Sequence, residues 1–131
     1  MHITKNIMPE FVDNRGSITK ILDDGKTAPR SILYIVSKKG SVRANHYHKE
    51  DSHYVYLLSG KMEYFEAPVK DGIPDQSKRE SVVLASGDMV YSPPMLAHAM
   101  RFLEDTTWVV LAMNSRSQDH YEADTVRVKL I

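Results

Sequence analysis

Short runs of apolar and β-branched residues recur along the chain, each stopped by glycine, proline, asparagine or aspartate. Runs of this kind predict strands rather than helices. Residues 17–22 follow the turn-prone Asp13-Asn14-Arg15-Gly16, and residues 31–37 lie between Pro29 and Gly40. Residues 54–58 end at Ser59-Gly60 and residues 62–66 start at once, as the arms of a hairpin do. Further strands are expected over 80–84, 89–91, 108–113 and 125–131. Helical periodicity is weak, and only residues 118–123 suggest a short helical turn. The stretch 67–79 carries Pro68, Gly72 and Pro74 and reads as a surface loop. No repeat, linker or low-complexity tract interrupts the pattern. Residues 1–131 therefore read as one all-β domain, a sandwich or barrel.

A hydrophobic share of 42% supplies a core for a domain of this size. Seventeen basic residues cancel 17 acidic ones, so no net field draws the chain to nucleic acid or to an anionic membrane. The absence of cysteine excludes disulfides, thiolate catalysis and cysteine-ligated metals. Any metal must rest on carboxylates, carbonyls or the 6 histidines. Residues 1–6 lack the apolar core of a signal peptide, and no apolar run approaches the roughly 18–20 residues of a membrane span. A cytoplasmic location and a small-molecule substrate are the expectations.

The histidines are not scattered. His46 and His48 sit two apart on an expected strand, so both point to one face, close enough to share an ion. His53 would fall on the opposite face if that strand ran on. A turn at Lys49-Glu50-Asp51-Ser52 can reset the register, so that His53, Val55 and Leu57 face inward together. His98 follows Pro93-Pro94, which fixes the backbone before it. His2 and His120 read as ordinary solvated or hydrogen-bonded residues.

These positions resemble the two signature segments of the cupin family. Gly40, His46, His48 and Gly60 match G-x5-H-x-H-x3,4-E-x6-G, and Gly87, Pro93 and His98 match G-x5-P-x-G-x2-H-x3-N. His53 stands where the pattern has Glu, Met95 where it has Gly, and Phe102 where it has Asn. The resemblance implies a cupin-type β-sandwich barrel, or jelly roll. It also implies a divalent ion, here held by His46, His48, His53 and His98. Imidazole suits zinc, nickel, copper or iron, and zinc, nickel, iron or manganese is the ion expected. Replacing the carboxylate by a fourth imidazole leaves the site more positive and a stronger Lewis acid.

A narrower resemblance joins Asp13-Asn-Arg15-Gly16 to Arg43-Ala-Asn-His46-Tyr-His48. It is similar to the cupins of nucleotide-sugar metabolism, the sugar ketoisomerases and dehydrorhamnose epimerases, with Ala44 in place of a glycine. That resemblance implies isomerase or epimerase activity on a nucleotide-linked keto-sugar in polysaccharide or deoxysugar biosynthesis. His46 and His48 would exchange the proton, and Arg15 and Arg43 would grip the diphosphate. Those epimerases use a tyrosine acid on a late strand, where this chain has Trp108-Val109-Val110. Tyr34, Tyr47, Tyr54, Tyr56, Tyr64 and Tyr91 are the substitutes, and Glu63 is a further base if a metal occupies the histidines. Two alternatives stand beside this: a metal-dependent dioxygenase or lyase on a small acid or diketone, and a non-catalytic sugar- or metabolite-binding cupin. Barrels of this kind leave sheet edges to cover. A homodimer is expected, with residues 2–8 pairing to the partner's sheet.

Overall fold

The computed structural model describes residues 1–131. Alternation along each strand builds two facing antiparallel sheets. One is ordered β1-β10-β6-β12-β4, from His2–Thr4, Met89–Ser92, His53–Ser59, Thr106–Ala112 and Ser31–Ser37. The other is ordered β13-β5-β11-β7-β8, from Thr125–Arg127, Val42–His48, Leu96–Phe102, Lys61–Lys70 and Ile73–Pro74. Strand β9, Glu80–Ala85, adds to the second sheet beside β7. Strand β12 buries Trp108, Val110 and Ala112 and turns Thr107, Val109 and Leu111 outward, the period of two that a one-sided sheet requires. Val55, Leu57, Met62, Tyr64 and Phe102 complete the core between the sheets. This is the expected cupin barrel. Gly60, at the β6–β7 turn, has φ +88°, and a Cβ there would sit 2.3 Å from the Asp105 carbonyl oxygen. No other residue fits that corner.

The strands expected over 31–37, 54–58, 80–84, 89–91 and 108–113 form within two residues at each end, and the one expected over 62–66 forms but runs on to Lys70. Four expectations are corrected. The run 67–79 is not a loop: β7 continues to Lys70, turns through Asp71-Gly72, and returns as β8 and a 3₁₀ turn capped by Asp75. The run 17–22 yields only Gly16–Ile18, β3, which closes a hairpin on Phe11–Asp13, β2, apart from both sheets. The last strand stops at Arg127: Val128 N–H still reaches the Asn45 carbonyl, but Leu130 and Ile131 then bond to the Asn45 side chain rather than to the strand backbone. Finally, residues 2–8 do not need a partner's sheet. His2–Thr4 pairs with Met89–Tyr91 of its own chain. The short helix does form, as α1 over Gln118–Asp124, and no helix is long and apolar enough to cross a membrane.

Left-handed non-glycine backbone flanks the histidines at two places. Ala44 and Asn45, with φ of +68° and +54°, make a bulge in β5, so that His46 pairs with His98 while Ala44 pairs with Ala99. The Asn45 carbonyl accepts Val128 N–H at 2.9 Å, and its side-chain oxygen accepts Leu130 N–H and Ile131 N–H at 3.0 and 3.1 Å. The clamped tail covers a second apolar cluster of Tyr47, Phe65, Ala67, Ala97, Ala99 and Leu130 on the back of the sheet. Met95, φ +61°, turns the chain into β11 and donates its N–H to the His48 carbonyl at 2.8 Å. Ala44 and Met95 both stand where the related patterns carry glycine.

A left-handed non-glycine residue costs about 1–2 kcal/mol, and glycine returns part of any gain through unfolded-state entropy. Met95→Gly should therefore raise stability by about 0.5–1 kcal/mol, or about 2–4 °C in Tm. Asn45→Ala strips two tail N–H groups of their acceptor and should cost about 1–3 kcal/mol. Thermal melts of both variants check this, and a lower Tm for Met95→Gly would contradict the assignment of strain.

Candidate active site

The bulge delivers His46 and His48 to the barrel interior with their rings 4.7 Å apart. His98 stands opposite His46 on β11 at 4.8 Å. His53 opens β6, at 4.9 Å from His98 and 5.5 Å from His48. The four rings form a closed circuit at one end of the core. The register reset at residues 49–52 occurs as expected, and it brings Asp51 inward, where its carboxylate accepts Asn114 N–H at 3.0 Å.

Hydrogen bonds fix which nitrogens face the centre. His98 Nδ1 lies 3.1 Å from the Leu96 carbonyl and 3.2 Å from Ser92 Oγ. Donation to the carbonyl leaves its Nε2 as the lone-pair side. His48 Nδ1 lies 3.4 Å from Asp124 Oδ2 and 3.3 Å from Thr125 Oγ1. The Asp124 carboxylate is itself held by Glu50 N–H at 2.7 Å and Asp51 N–H at 3.1 Å. This carboxylate orients the imidazole, and His48 Nε2 is left buried with no partner; His53 Nδ1 is also unpartnered. Potential ligand atoms of His46, His48 and His98 lie within 4.8 Å of one another, as do those of His48, Asp51 and His53. The histidines thus gather as two triads sharing His48, with Asp51 an added carboxylate.

Burial keeps these rings neutral. It lowers His46 to about 2 and His98 to about 4, with neighbouring imidazoles and Arg116 adding to the effect. His53 is held well below its ordinary value for the same reasons. Burial also lowers His48, against the pull of Asp51 and Asp124. Neutral imidazole is the form that ligates a metal or accepts a proton.

His48 lines a cleft of about 450 Å³ walled by the β5–β6 turn and the segment leading into α1. Tyr121 of α1 lies 6.0 Å from His48 and 6.3 Å from His46, and the Arg116 guanidinium rests on its ring at 4.3 Å. Neither Arg15 nor Arg43 lines this cleft. Arg15 pairs with Asp13 on the separate hairpin, and Arg43 donates to Ser37 Oγ and the Val36 carbonyl. Arg30 and Arg116 line it instead. Among the tyrosines, only Tyr64 reaches the histidines from inside, stacked on His98 at 6.4 Å with its buried hydroxyl unpartnered. Tyr34 faces outward at 70% exposure, Tyr54 and Tyr91 pack together on the outer face of the sheet, and Glu63 pairs outside with Arg101. Arg30, Asp51, Arg116, Tyr121 and Asp124 carried no motif of their own.

A family model described as "FdtA: WxcM-like, C-terminal" matches residues 1–129. Among curated protein sequences none matches this chain. Among solved structures, the dTDP-4-dehydrorhamnose 3,5-epimerase of Sulfolobus tokodaii superposes with a TM-score of 0.74 at 20% identity, covering 91% of this chain and 72% of that one. A 3,4-ketoisomerase of Helicobacter canadensis gives 0.73 at 22% identity, covering 97% and 91%. The sugar 3,4-ketoisomerase QdtA of Thermoanaerobacterium thermosaccharolyticum, solved in complex with TDP, gives 0.73 at 20% identity, covering 96% and 88%. At these identities the likeness is one of fold.

The lowered histidines make the metal-free protein sensitive to acid. Below the unfolded value of 6.5 the unfolded chain binds protons that the folded rings refuse. Their contribution is full above pH 6.5 and drains as pH falls through about 4, where His98 finally protonates. Asp51, raised by burial, acts in the opposite sense, but one carboxyl faces four imidazoles. After chelation, Tm should fall steadily between about pH 6.5 and 4, and a flat profile there would refute the buried neutral cluster.

Proposed function

We propose that this chain, which belongs to the FdtA, WxcM-like C-terminal family, is an isomerase or epimerase acting on a nucleotide-linked keto-sugar. The observation that carries the reading is the oriented His48–Asp124 pair beside a cleft, with Nε2 free. Ketose isomerisation and epimerisation both begin with loss of a proton α to a carbonyl. His48 Nε2 takes that proton, and the C–H electron pair moves into the carbonyl to give an enolate. Asp124 holds the Nδ1–H tautomer and stabilises the imidazolium that forms. Return of the proton to the adjoining carbon, with the hydroxyl proton passing from its own oxygen to the former carbonyl oxygen, completes an isomerisation, and return to the opposite face of the original carbon completes an epimerisation. His46, held neutral beside His48, is the second proton-handling group. Products of this kind feed polysaccharide or deoxysugar biosynthesis.

A second reading is favoured by the unpartnered nitrogens of His48 and His53, which suit a zinc, nickel, iron or manganese ion. His46, His48, His53 and His98 would hold it, with Asp51 adjacent. Bound there, the ion would polarise a ketone oxygen as a Lewis acid. It would also occupy the nitrogen that a free base needs, so the two readings place opposite demands on His48. The dioxygenase or lyase alternative depends on the ion, and the binding-only alternative on neither.

The partner of this chain in the proposal is a second copy. Ile32, Tyr34 and Val36 form an apolar row, 58–70% exposed, on edge strand β4. Phe11, Val12 and Ile18 are exposed on a hairpin that joins neither sheet. Sedimentation at micromolar concentration should give a dimer, and a monomer carrying Ile32, Tyr34 and Val36 exposed would refute it.

Solvent deuterium should enter a supplied nucleotide-linked ketose. His48→Asn should lower kcat by about 10²–10⁴, and Asp124→Asn should lower kcat more than it changes KM. No exchange across a panel of such ketoses, with and without added metals, sinks the isomerase reading. Metal analysis of untagged protein separates the remaining two: full turnover after chelation removes the metal reading, and turnover restored only by one metal removes the free base.

A further inference from the structure

Strand β5 has two ways to pair with β11. In the observed one, Arg43 meets Met100, Ala44 meets Ala99 and His46 meets His98, so β5 carries one residue more than the strand opposite. In the other, with no bulge, Asn45 would meet His98, and the slip of one residue would turn His46 and His48 to the back of the sheet. Local backbone preference resists the observed register. It sets two consecutive non-glycine residues left-handed, Ala44 at φ +68° and Asn45 at +54°. Something outside β5 must select it.

That selection comes from residues 128–131. Val128 donates its N–H to the Asn45 carbonyl at 2.9 Å, and Leu130 and Ile131 donate theirs to Asn45 Oδ1 at 3.0 and 3.1 Å. The segment is itself held from behind. Gln76 Nε2 donates to the Lys129 carbonyl at 3.2 Å, and the Arg79 guanidinium donates to the Leu130 carbonyl at 3.0 Å. Apolar contacts make the same choice. Tyr47, between the two histidines, points to the back of the sheet and shares a buried cluster with Leu130. In the slipped register Tyr47 would turn inward, and two imidazoles would be forced beneath Leu130.

We propose that Asn45 is a positioning residue: through its side chain, residues 128–131 lock β5 in the bulged register and hold His46 and His48 inside the barrel. This role rests on the reading above that those imidazoles carry the chemistry, and it holds whether they move a proton or bind an ion. Ala44 explains why a lock is needed. Glycine, which the related pattern carries there, takes a left-handed φ at no steric cost, whereas alanine leaves the bulge to be stabilised from outside. Asn45 acts only through the backbone that sets which way His46 and His48 face.

Nuclear Overhauser contacts in the full chain test this, because they read the register without an assay of turnover. The His46 and His98 rings, 4.8 Å apart, should be in contact in the wild-type protein and in Asn45→Asp, which keeps the acceptor. Asn45→Ala should shift the balance between registers by about 10- to 100-fold, weaken that contact and bring residue 45 against His98. Adding Ala44→Gly to Asn45→Ala should restore the histidine contact. Leu84→Ala, in the core on β9, should lower Tm with the contact intact, which separates the lock from general stability. An unchanged His46–His98 contact in Asn45→Ala overturns the lock. Hydrogen exchange of the wild-type protein serves if that variant does not fold. The amides of Val128, Leu130 and Ile131 should exchange through the same opening as those of β5, and tail amides that open alone overturn the lock as well. The kcat/KM for a nucleotide-linked ketose should fall by the same factor as the bulged population. Register lost in Asn45→Ala, in a protein whose wild type turns over no such ketose, leaves the lock and removes the isomerase. Turnover with an unchanged ring contact in Asn45→Ala leaves the isomerase and removes the lock.

Discussion

One extra residue in β5 decides where the chemistry sits. Arg43 pairs with Met100 and Ala44 with Ala99, so an unbroken ladder would put Asn45 opposite His98 and turn His46 and His48 to the back of the sheet. The left-handed pair Ala44-Asn45 absorbs one residue, and both imidazoles enter the barrel. The same bulge frees the Asn45 amide to fasten the tail over the rear cluster. Loss of that geometry would disturb the site and the second core together.

Strain and buried polarity concentrate around this point. Unpartnered imidazole nitrogens cost stability that an apolar core would not lose, on the order of 1–3 kcal/mol each. Ala44 and Met95 add left-handed backbone on either side of the histidines. The rest of the barrel offsets these costs through ordinary burial, with Leu57, Met62 and Leu84 fully enclosed. A site poised in this way is rigid because its neighbours over-determine it.

Much of the barrel was legible because strand alternation and turn residues are local signals. Residues 31–37 and 54–66 needed nothing else. The stretch 67–79 misled because proline and glycine mark a tight β7–β8 return as readily as a loop. The tail misled because its partner is a side chain on a strand far back in the chain, which no local pattern encodes. The four histidines were legible from their spacing and from the register argument for His53. Asp124 was not, since it meets His48 only when α1 closes against the β5–β6 turn. Arg116 and Tyr121 escaped for the same reason. Arg15 and Arg43 followed from resemblance alone, and within one chain each already has a protein partner.

The cleft is assembled unevenly. Seven of its 12 lining residues come from the single segment that runs from Asn114 to Asp124, while the imidazoles come from the strands beneath. Most of the cleft wall and the imidazole floor are therefore encoded in separate stretches of the gene. Insertions or substitutions between the end of β12 and the start of β13 could retarget the barrel to a different ligand in few mutational steps. Drift in the strands would meet the bulge, the tail clamp and the packed rings at once. Diversity among relatives should accordingly gather in that one segment, over a floor that changes slowly.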